Sequence, residues 1–141
     1  MKRILIIEDN AEVRENLSEI LSLYGYSIEE AINGKEGVEK ALAAPPDLIL
    51  CDVMMPELDG YGVLKILSQK ETTLGVPFIF LTAKTEKEDL RRGMNLGADD
   101  YLMKPIYKDE LLEVVQQRLA KHERLQRQFS QTSVTFSAFI D

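Results

Sequence analysis

The sequence is poor in several residues that mark whole classes of protein. Its 141 residues include one cysteine, five prolines and no tryptophan. A single cysteine cannot form an internal disulfide, which is typical of a reducing compartment such as the cytosol. No apolar run approaches the ~20 residues that a membrane-spanning helix needs. We therefore expect one soluble, cytoplasmic domain with a hydrophobic core of its own.

Positive charge is also in short supply. Lysine and arginine number 17 against 24 aspartates and glutamates, which gives a formal net charge of −7. An acidic surface repels phosphate backbones and anionic lipids, so we expect that this chain alone binds neither nucleic acid nor membranes. The Gly-x-x-x-x-Gly-Lys-Ser/Thr motif of nucleotide-binding loops is absent, which argues against ATP as a phosphoryl donor.

Short apolar runs alternate with amphipathic stretches along the chain. The runs are residues 4–7, 27–31, 47–51, 78–81 and 101–103. Between the runs, apolar residues recur at helical spacing, as Val13, Leu17 and Leu21 do. Repeated alternation of strand and helix predicts a doubly wound α/β fold, in which helices cover both faces of a five-stranded parallel sheet.

Polar residues follow these runs at the positions where the predicted strands end. Ligands of open α/β sheets bind beyond the carboxyl ends of the strands, so residues at this edge are the candidates for function. They are Glu8, Asp9, Asp52, Thr82, Ala83, Lys104 and Pro105. Crowded carboxylates repel one another unless a cation neutralises them, and their oxygens select hard cations such as Mg²⁺. Alternatively, Glu8 and Asp9 only cap the helix that follows, since acidic residues are favoured at helix N-termini.

Asp52 is the most informative of these residues, because it follows directly on an apolar strand. A charged residue is not expected at such a position unless it has a function. A carboxylate can attack phosphorus and form an acyl phosphate. Phosphoryl transfer also needs a metal and donors for the other oxygens, which Thr82, Lys104 and the Ala83 amide can provide. These residues leave open a phosphorylation-dependent switch and a Mg²⁺-dependent phosphohydrolase with an aspartyl nucleophile. The hydrolase would usually carry a second carboxylate two residues after the nucleophile, where this chain has Met54.

Four ordered motifs resemble those of the receiver domain of bacterial two-component response regulators. They are Ile-Leu-Ile-Ile-Glu-Asp-Asn ending at residue 10, Asp-Leu-Ile-Leu-Cys-Asp-Val-Met-Met-Pro-Glu-Leu-Asp-Gly ending at residue 60, Pro-Phe-Ile-Phe-Leu-Thr-Ala at residues 77–83, and Gly-Ala-Asp-Asp-Tyr-Leu-Met-Lys-Pro at residues 97–105. The resemblance implies a flavodoxin-like fold with strand order 2-1-3-4-5. It also implies a signalling switch rather than an enzyme, with a sensor histidine kinase or a phosphotransfer protein as donor and Mg²⁺ as cofactor.

The resemblance further implies a role for each candidate residue. Asp52 would accept the phosphoryl group. Glu8, Asp9, Asp52 and the backbone carbonyl of Met54 would bind Mg²⁺. Thr82, Lys104 and the Ala83 amide would contact the phosphoryl group from the rim of the site, and Tyr101 would be the aromatic residue that moves on switching. The isomer of the Lys104–Pro105 bond, which would aim the lysine, stays open at this stage.

The C-terminal part of the chain is expected to be one long helix. From Lys108 to Phe129 no proline or glycine interrupts good helix formers. These ~22 residues span roughly 33 Å, more than one helix of such a domain usually covers. We therefore expect a receiver domain over residues 1–122 and, over 123–141, a helical extension with a flexible tail that could link to an effector domain. We also expect phosphorylation-dependent homodimers through helix 4, strand 5 and helix 5.

Overall fold

The computed structural model describes residues 1–83 and 87–140, with the side chains of residues 1–83 and 88–129. The strands are β1 (Arg3–Ile7), β2 (Ser27–Ala31), β3 (Leu48–Asp52), β4 (Phe78–Thr82) and β5 (Asp100–Met103). The helices are α1 (Ala11–Leu23), α2 (Gly34–Ala43), α3 (Gly60–Leu67), α4 (Lys87–Asn95) and α5 (Lys108–Ile140). Neighbouring strands are parallel and lie in the order β2-β1-β3-β4-β5. The predicted fold and strand order are confirmed.

The three central strands bury side chains on both faces of the sheet. Leu5, Ile7, Ile49, Cys51, Phe78 and Phe80 belong to the core shared with α2 and α3. Their neighbours Ile4, Ile6, Leu48, Leu50, Ile79 and Leu81 belong to the core shared with α1 and α5. Strands covered by helices on both sides need no polar face. This is why the apolar runs of the sequence located them so well.

Two of these strands end one residue later than the apolar runs predicted. Asp52 is the last residue of β3 and pairs in register with Leu81 of β4. Thr82 is the last residue of β4 and pairs with Met103 of β5. Both polar residues therefore have the fixed backbone of a strand rather than that of a loop, and they stand at the carboxyl edge of the sheet.

Helix α5 is longer than the sequence predicted. Leu111, Val115 and Leu119 bury its first turns against the sheet, whereas Leu125 and Phe129 are 54% and 75% exposed. The sequence predicted a helix from Lys108 to Phe129, and in the structure the helix continues to Ile140. Extending an existing helix adds a backbone hydrogen bond without a new nucleation cost, and no proline or glycine stops it. Among the described helices, none is both long and apolar enough to cross a membrane.

Candidate functional site at the carboxyl edge of the sheet

Three carboxylates meet where β1 and β3 end. Oxygen atoms of Glu8, Asp9 and Asp52 all lie within 4.8 Å of one another. Glu8 is fully buried and Asp52 is 4% exposed, whereas Asp9 is open to solvent. Charges so close and so poorly hydrated repel strongly unless a cation is near. The donor chemistry of the cluster therefore fits a cation, and hard oxygen donors suit Mg²⁺.

Lys104 supplies one of the charges that this cluster needs. Its Nζ lies 2.7 Å from Glu8 Oε1 and 3.3 Å from Asp52 Oδ1. Its backbone N–H donates to the Thr82 carbonyl oxygen at 2.8 Å, which extends the β4–β5 pairing past the end of β5. The peptide bond to Pro105, which the sequence left open, is cis. Burial lowers the pKa of Lys104, but Glu8 and Asp52 outweigh this and leave the pKa above its ordinary value.

The interpretation of Glu8 and Asp9 as helix caps is wrong. The N-cap of α1 is Asn10, whose side-chain oxygen accepts from the Val13 N–H at 3.0 Å. The Glu8 carboxylate instead points into the site, where Oε2 also accepts from the Asn10 N–H at 3.3 Å. Because Asn10 performs the capping, both acidic residues are left for the cation site.

Arg14 supports the site, and sequence reasoning missed it. Its Nη1 donates to the backbone carbonyl of Glu8 at 2.8 Å, and its Nε lies 3.4 Å from Glu30 Oε1. The side chain is only 13% exposed. A cation near a helix N-terminus opposes the helix dipole unless it is paired. An arginine so early in α1 was therefore a signal that an acceptor lay nearby.

The loop from β3 to α3 folds back onto Asp52. The Gly60 N–H donates to the Val53 carbonyl at 2.9 Å, and a Cβ at Gly60 would overlap the Asp52 carbonyl. Within the loop, Glu57 has a φ of +67°, and the Leu58 N–H donates to the Pro56 carbonyl at 2.8 Å across it. Met54 lies at the start of this loop with its side chain 59% exposed. The role of its carbonyl as a metal ligand stays a prediction.

Thr82 and Tyr101 lie deeper than the sequence indicated. We expected Thr82 at the rim of the site, but it is 3% exposed. The reason is that Thr82 belongs to a central strand that packs between its neighbours, not to a loop. Tyr101, on β5, is partly buried against the same core as α3. The two side chains line one small pocket beneath α4. Ala83 follows β4 and is exposed.

A family model described as the response regulator receiver domain matches residues 4–116 of this chain. The chain belongs to this family of receiver domains. It is 41% identical over 116 residues to the transcriptional regulatory protein DltR of Streptococcus agalactiae, a match that covers 82% of this chain and 51% of DltR. It is 38% identical over 125 residues to the DNA-binding dual master transcriptional regulator RpaA of Synechocystis, covering 89% and 52%.

Solved receiver domains have the same fold. A CheY-like response regulator receiver domain protein from Methanospirillum hungatei superposes with a TM-score of 0.83 at 31% identity, covering 88% of this chain and 98% of that one. The chain spans about half the length of the curated relatives it matches. The match to the solved receiver domain covers nearly the full length of that domain.

Membership of the family confirms the predicted class of function. The chain is a receiver domain of the response regulator family, the phosphorylation-dependent switch of two-component systems, and the two relatives are named as transcriptional regulators. The phosphohydrolase alternative is not favoured, because the matching family is the response regulator receiver domain and these relatives are transcriptional regulators. Receiver domains generally bind Mg²⁺ at an acidic pocket, and this chain has an acidic cluster of Glu8, Asp9 and Asp52.

Proposed function

We propose that this receiver domain accepts a phosphoryl group on the Asp52 carboxylate and transmits the signal through a change of its surface. The observation that carries the proposal is the setting of Asp52. It is 4% exposed at the end of β3, with the Lys104 ammonium 3.3 Å away and two further carboxylates beside it. A buried carboxylate is costly unless it is paired or used. This one faces the edge at which ligands of α/β sheets bind.

The donor is a phosphorylated histidine of a sensor kinase or phosphotransfer protein. An Asp52 oxygen attacks the phosphorus, and the new O–P bond forms as the P–N bond to the donor imidazole breaks. The electron pair of the broken bond stays on the imidazole nitrogen, which takes up a proton from solvent. Because the donor is already activated, this chain needs no general base.

The site fits a divalent ion. Among the residues that the structure describes, three carboxylates share the Lys104 ammonium, so this part of the cluster has a surplus of two negative charges. Glu8, Asp9 and Asp52, with the Met54 carbonyl, would hold Mg²⁺ there. When bound, Mg²⁺ supplies the charge that neutralises the oxygens of the transferring phosphoryl group.

The residues around Asp52 also explain how phosphorylation would be sensed. The modification adds a charge of about −1.5 to −2 and three acceptor oxygens. Lys104 is already within reach and would exchange its contact with Glu8 for one with the phosphoryl group. The Thr82 hydroxyl and the Ala83 amide would donate to the remaining oxygens. Because Thr82 shares its pocket with Tyr101, a movement of Thr82 changes the room that the tyrosine has.

The output of the switch would be a new interaction surface. We infer that α4, β5 and α5 form a phosphorylation-dependent homodimer interface of mixed charge, to which exposed Arg91, Lys108 and Glu113 contribute. The extension of α5 beyond residue 122 would carry the signal onward, to an effector domain or a partner protein. We place the protein in the cytoplasm, where donor kinases expose their phosphorylated histidines.

Labelling with a small phosphodonor tests the assignment of Asp52. Acetyl phosphate and Mg²⁺ should add one phosphoryl group, about 80 Da by mass, which hydroxylamine removes. Asp52→Asn keeps the shape of the side chain but lacks the nucleophilic oxygen, so labelling should vanish. Asp109→Asn, the same change at an exposed carboxylate of α5, should label like the wild type.

Two results would contradict the proposal. Labelling of Asp52→Asn at the wild-type rate would move the acceptor elsewhere. Sustained turnover of a phosphate ester, in place of one phosphoryl group per chain, would restore the hydrolase alternative.

A further inference from the structure

Tyr61 joins α3 to α4 through both its hydroxyl and its ring. The hydroxyl donates to the backbone carbonyl of Asp89 in α4 at 3.1 Å. The guanidinium carbon of Arg92, one turn further along α4, lies 4.4 Å from the ring centroid, a cation–π distance. The ring also packs edge-on against Phe80 of β4, with centroids 5.3 Å apart. Burial raises the pKa of Tyr61, so the hydroxyl keeps the proton that it donates.

Helix α4 buries little of its own side-chain surface. Among its residues 88–95, whose side chains the structure describes, Gly93 alone is buried. A Cβ at Gly93 would lie 2.9 Å from two ring carbons of Phe80 and 3.6 Å from Tyr61 Cε1. At Gly93 the helix backbone therefore rests on these two rings, while the half-buried Leu90 lines the pocket beneath the helix. A helix attached in this way depends more than most on individual polar contacts.

The contacts of Tyr61 also connect α4 with the carboxylate site. Tyr61 lines the pocket beneath α4 that contains Thr82 and Tyr101. It directly follows Gly60, the residue that packs on the Asp52 carbonyl and donates to Val53. A continuous series of contacts therefore links Asp52 to α4: the backbone of Gly60 packs on Asp52, and the side chain of the next residue, Tyr61, contacts α4.

We propose that Tyr61 is a positioning residue, which holds α4 over the pocket of Thr82 and Tyr101 in the unphosphorylated protein and so opposes switching. The proposal rests on the proposed function of Asp52 as acceptor. Contacts that exist in the unmodified arrangement stabilise it, and their removal shifts the population toward arrangements in which α4 has moved. If phosphorylation is easier in those arrangements, a weakened contact will raise the rate of labelling.

Tyr61→Phe tests the proposal because it removes the hydroxyl and keeps the ring. Loss of one hydrogen bond to a backbone carbonyl should change the opening equilibrium of α4 by about threefold to tenfold. We expect hydrogen exchange of the α4 amides to accelerate by this factor in the unphosphorylated full-length chain, with the amides of α1 unchanged. Arg92→Gln, which removes the cation–π contact from the other side, should accelerate the same amides. Tyr107→Phe is the matched control, because Tyr107 is 66% exposed.

The second readout is the rate of labelling by acetyl phosphate in the presence of Mg²⁺. If Tyr61 only stabilised the fold, Tyr61→Phe would leave this rate unchanged. We expect Tyr61→Phe to label faster than the wild type and Tyr107→Phe to label at the wild-type rate. Unchanged exchange in α4 would overturn the proposal, and so would faster exchange with unchanged labelling. If the wild type itself is not labelled, the proposed function fails, and the exchange experiment still decides whether Tyr61 holds α4.

Discussion

In the described part of the chain, Lys104 is the cation that contacts the carboxylate cluster, and its replacement by methionine tests how much this contact stabilises the protein. The ammonium lies 2.7 Å from the fully buried Glu8 and 3.3 Å from Asp52. Methionine keeps most of the aliphatic length and removes the charge. In Lys104→Met, three carboxylates within 4.8 Å of one another would face each other with no ammonium from residues 1–83 or 88–129 between them.

The size of the effect follows from these distances. At an effective dielectric constant of ~20, two unit charges 4.8 Å apart repel by about 3.5 kcal/mol. Removal of one partner from a buried ion pair costs ~3–5 kcal/mol. Lys104 is 24% exposed and Asp9 is open to solvent, so water screens part of this. We expect the free energy of unfolding to fall by about 2–3 kcal/mol and Tm by roughly 6–10 °C. An exposed lysine at the rim of the site would have changed stability by less than ~1 kcal/mol.

The assay is thermal unfolding, followed by circular dichroism, with EDTA and then with excess Mg²⁺. An ion that binds only the native state stabilises it in proportion to the logarithm of its concentration over Kd. Mg²⁺ should stabilise Lys104→Met more than the wild type, because the ammonium no longer competes for the carboxylates. Lys70→Met, at an exposed lysine after α3, is the control and should hardly change Tm. Equal Tm values for Lys104→Met and the wild type in EDTA would refute the reasoning, as would equal stabilisation by Mg²⁺.

Three further predictions concern pH, backbone strain and assembly. Because the pKa of Lys104 is raised above its ordinary 10.5, the stability that its charge contributes is complete below about that pH and is lost as the pH rises through the raised pKa. In urea unfolding between pH 8 and about 11, the free energy of unfolding should therefore fall more steeply for the wild type than for Lys104→Met. Parallel curves for the two proteins would contradict this. Glu57→Gly should raise the free energy of unfolding, measured in urea, by about 1 kcal/mol, because glycine adopts a positive φ without strain. Glu57→Ala removes the same charge but keeps a Cβ, so it should not raise the free energy of unfolding. Equal effects of the two substitutions would show that the charge of Glu57, and not its φ, matters. Beryllofluoride with Mg²⁺ should shift sedimentation toward a dimer in a salt-sensitive way, and an unchanged mass at high concentration and low salt would exclude the α4–β5–α5 dimer.

The sequence by itself determined the order of the elements and the edge of the sheet at which to look. The runs that became β1, β3 and β4 are apolar on both faces because helices cover both faces, so they stand out in a single sequence. Parallel strands bring their carboxyl ends to one edge of the sheet. The residue that follows each apolar run was therefore enough to identify Glu8, Asp52 and Lys104 as candidate site residues. These inferences depend on local pattern and topology, which neighbouring residues encode.

The tertiary structure alone decided how the nominated side chains are arranged. The sequence could not show that Lys104 lies closer to Glu8 than to Asp52, that Asn10 rather than an acidic residue caps α1, or that Thr82 is buried. Nor could it show that Tyr61 reaches the backbone of α4. Apart from the Asn10 cap, which is local to α1, each of these features depends on the separation of groups that lie on different elements. Such distances are set by how all the helices pack on the sheet, and no short stretch of sequence contains that information.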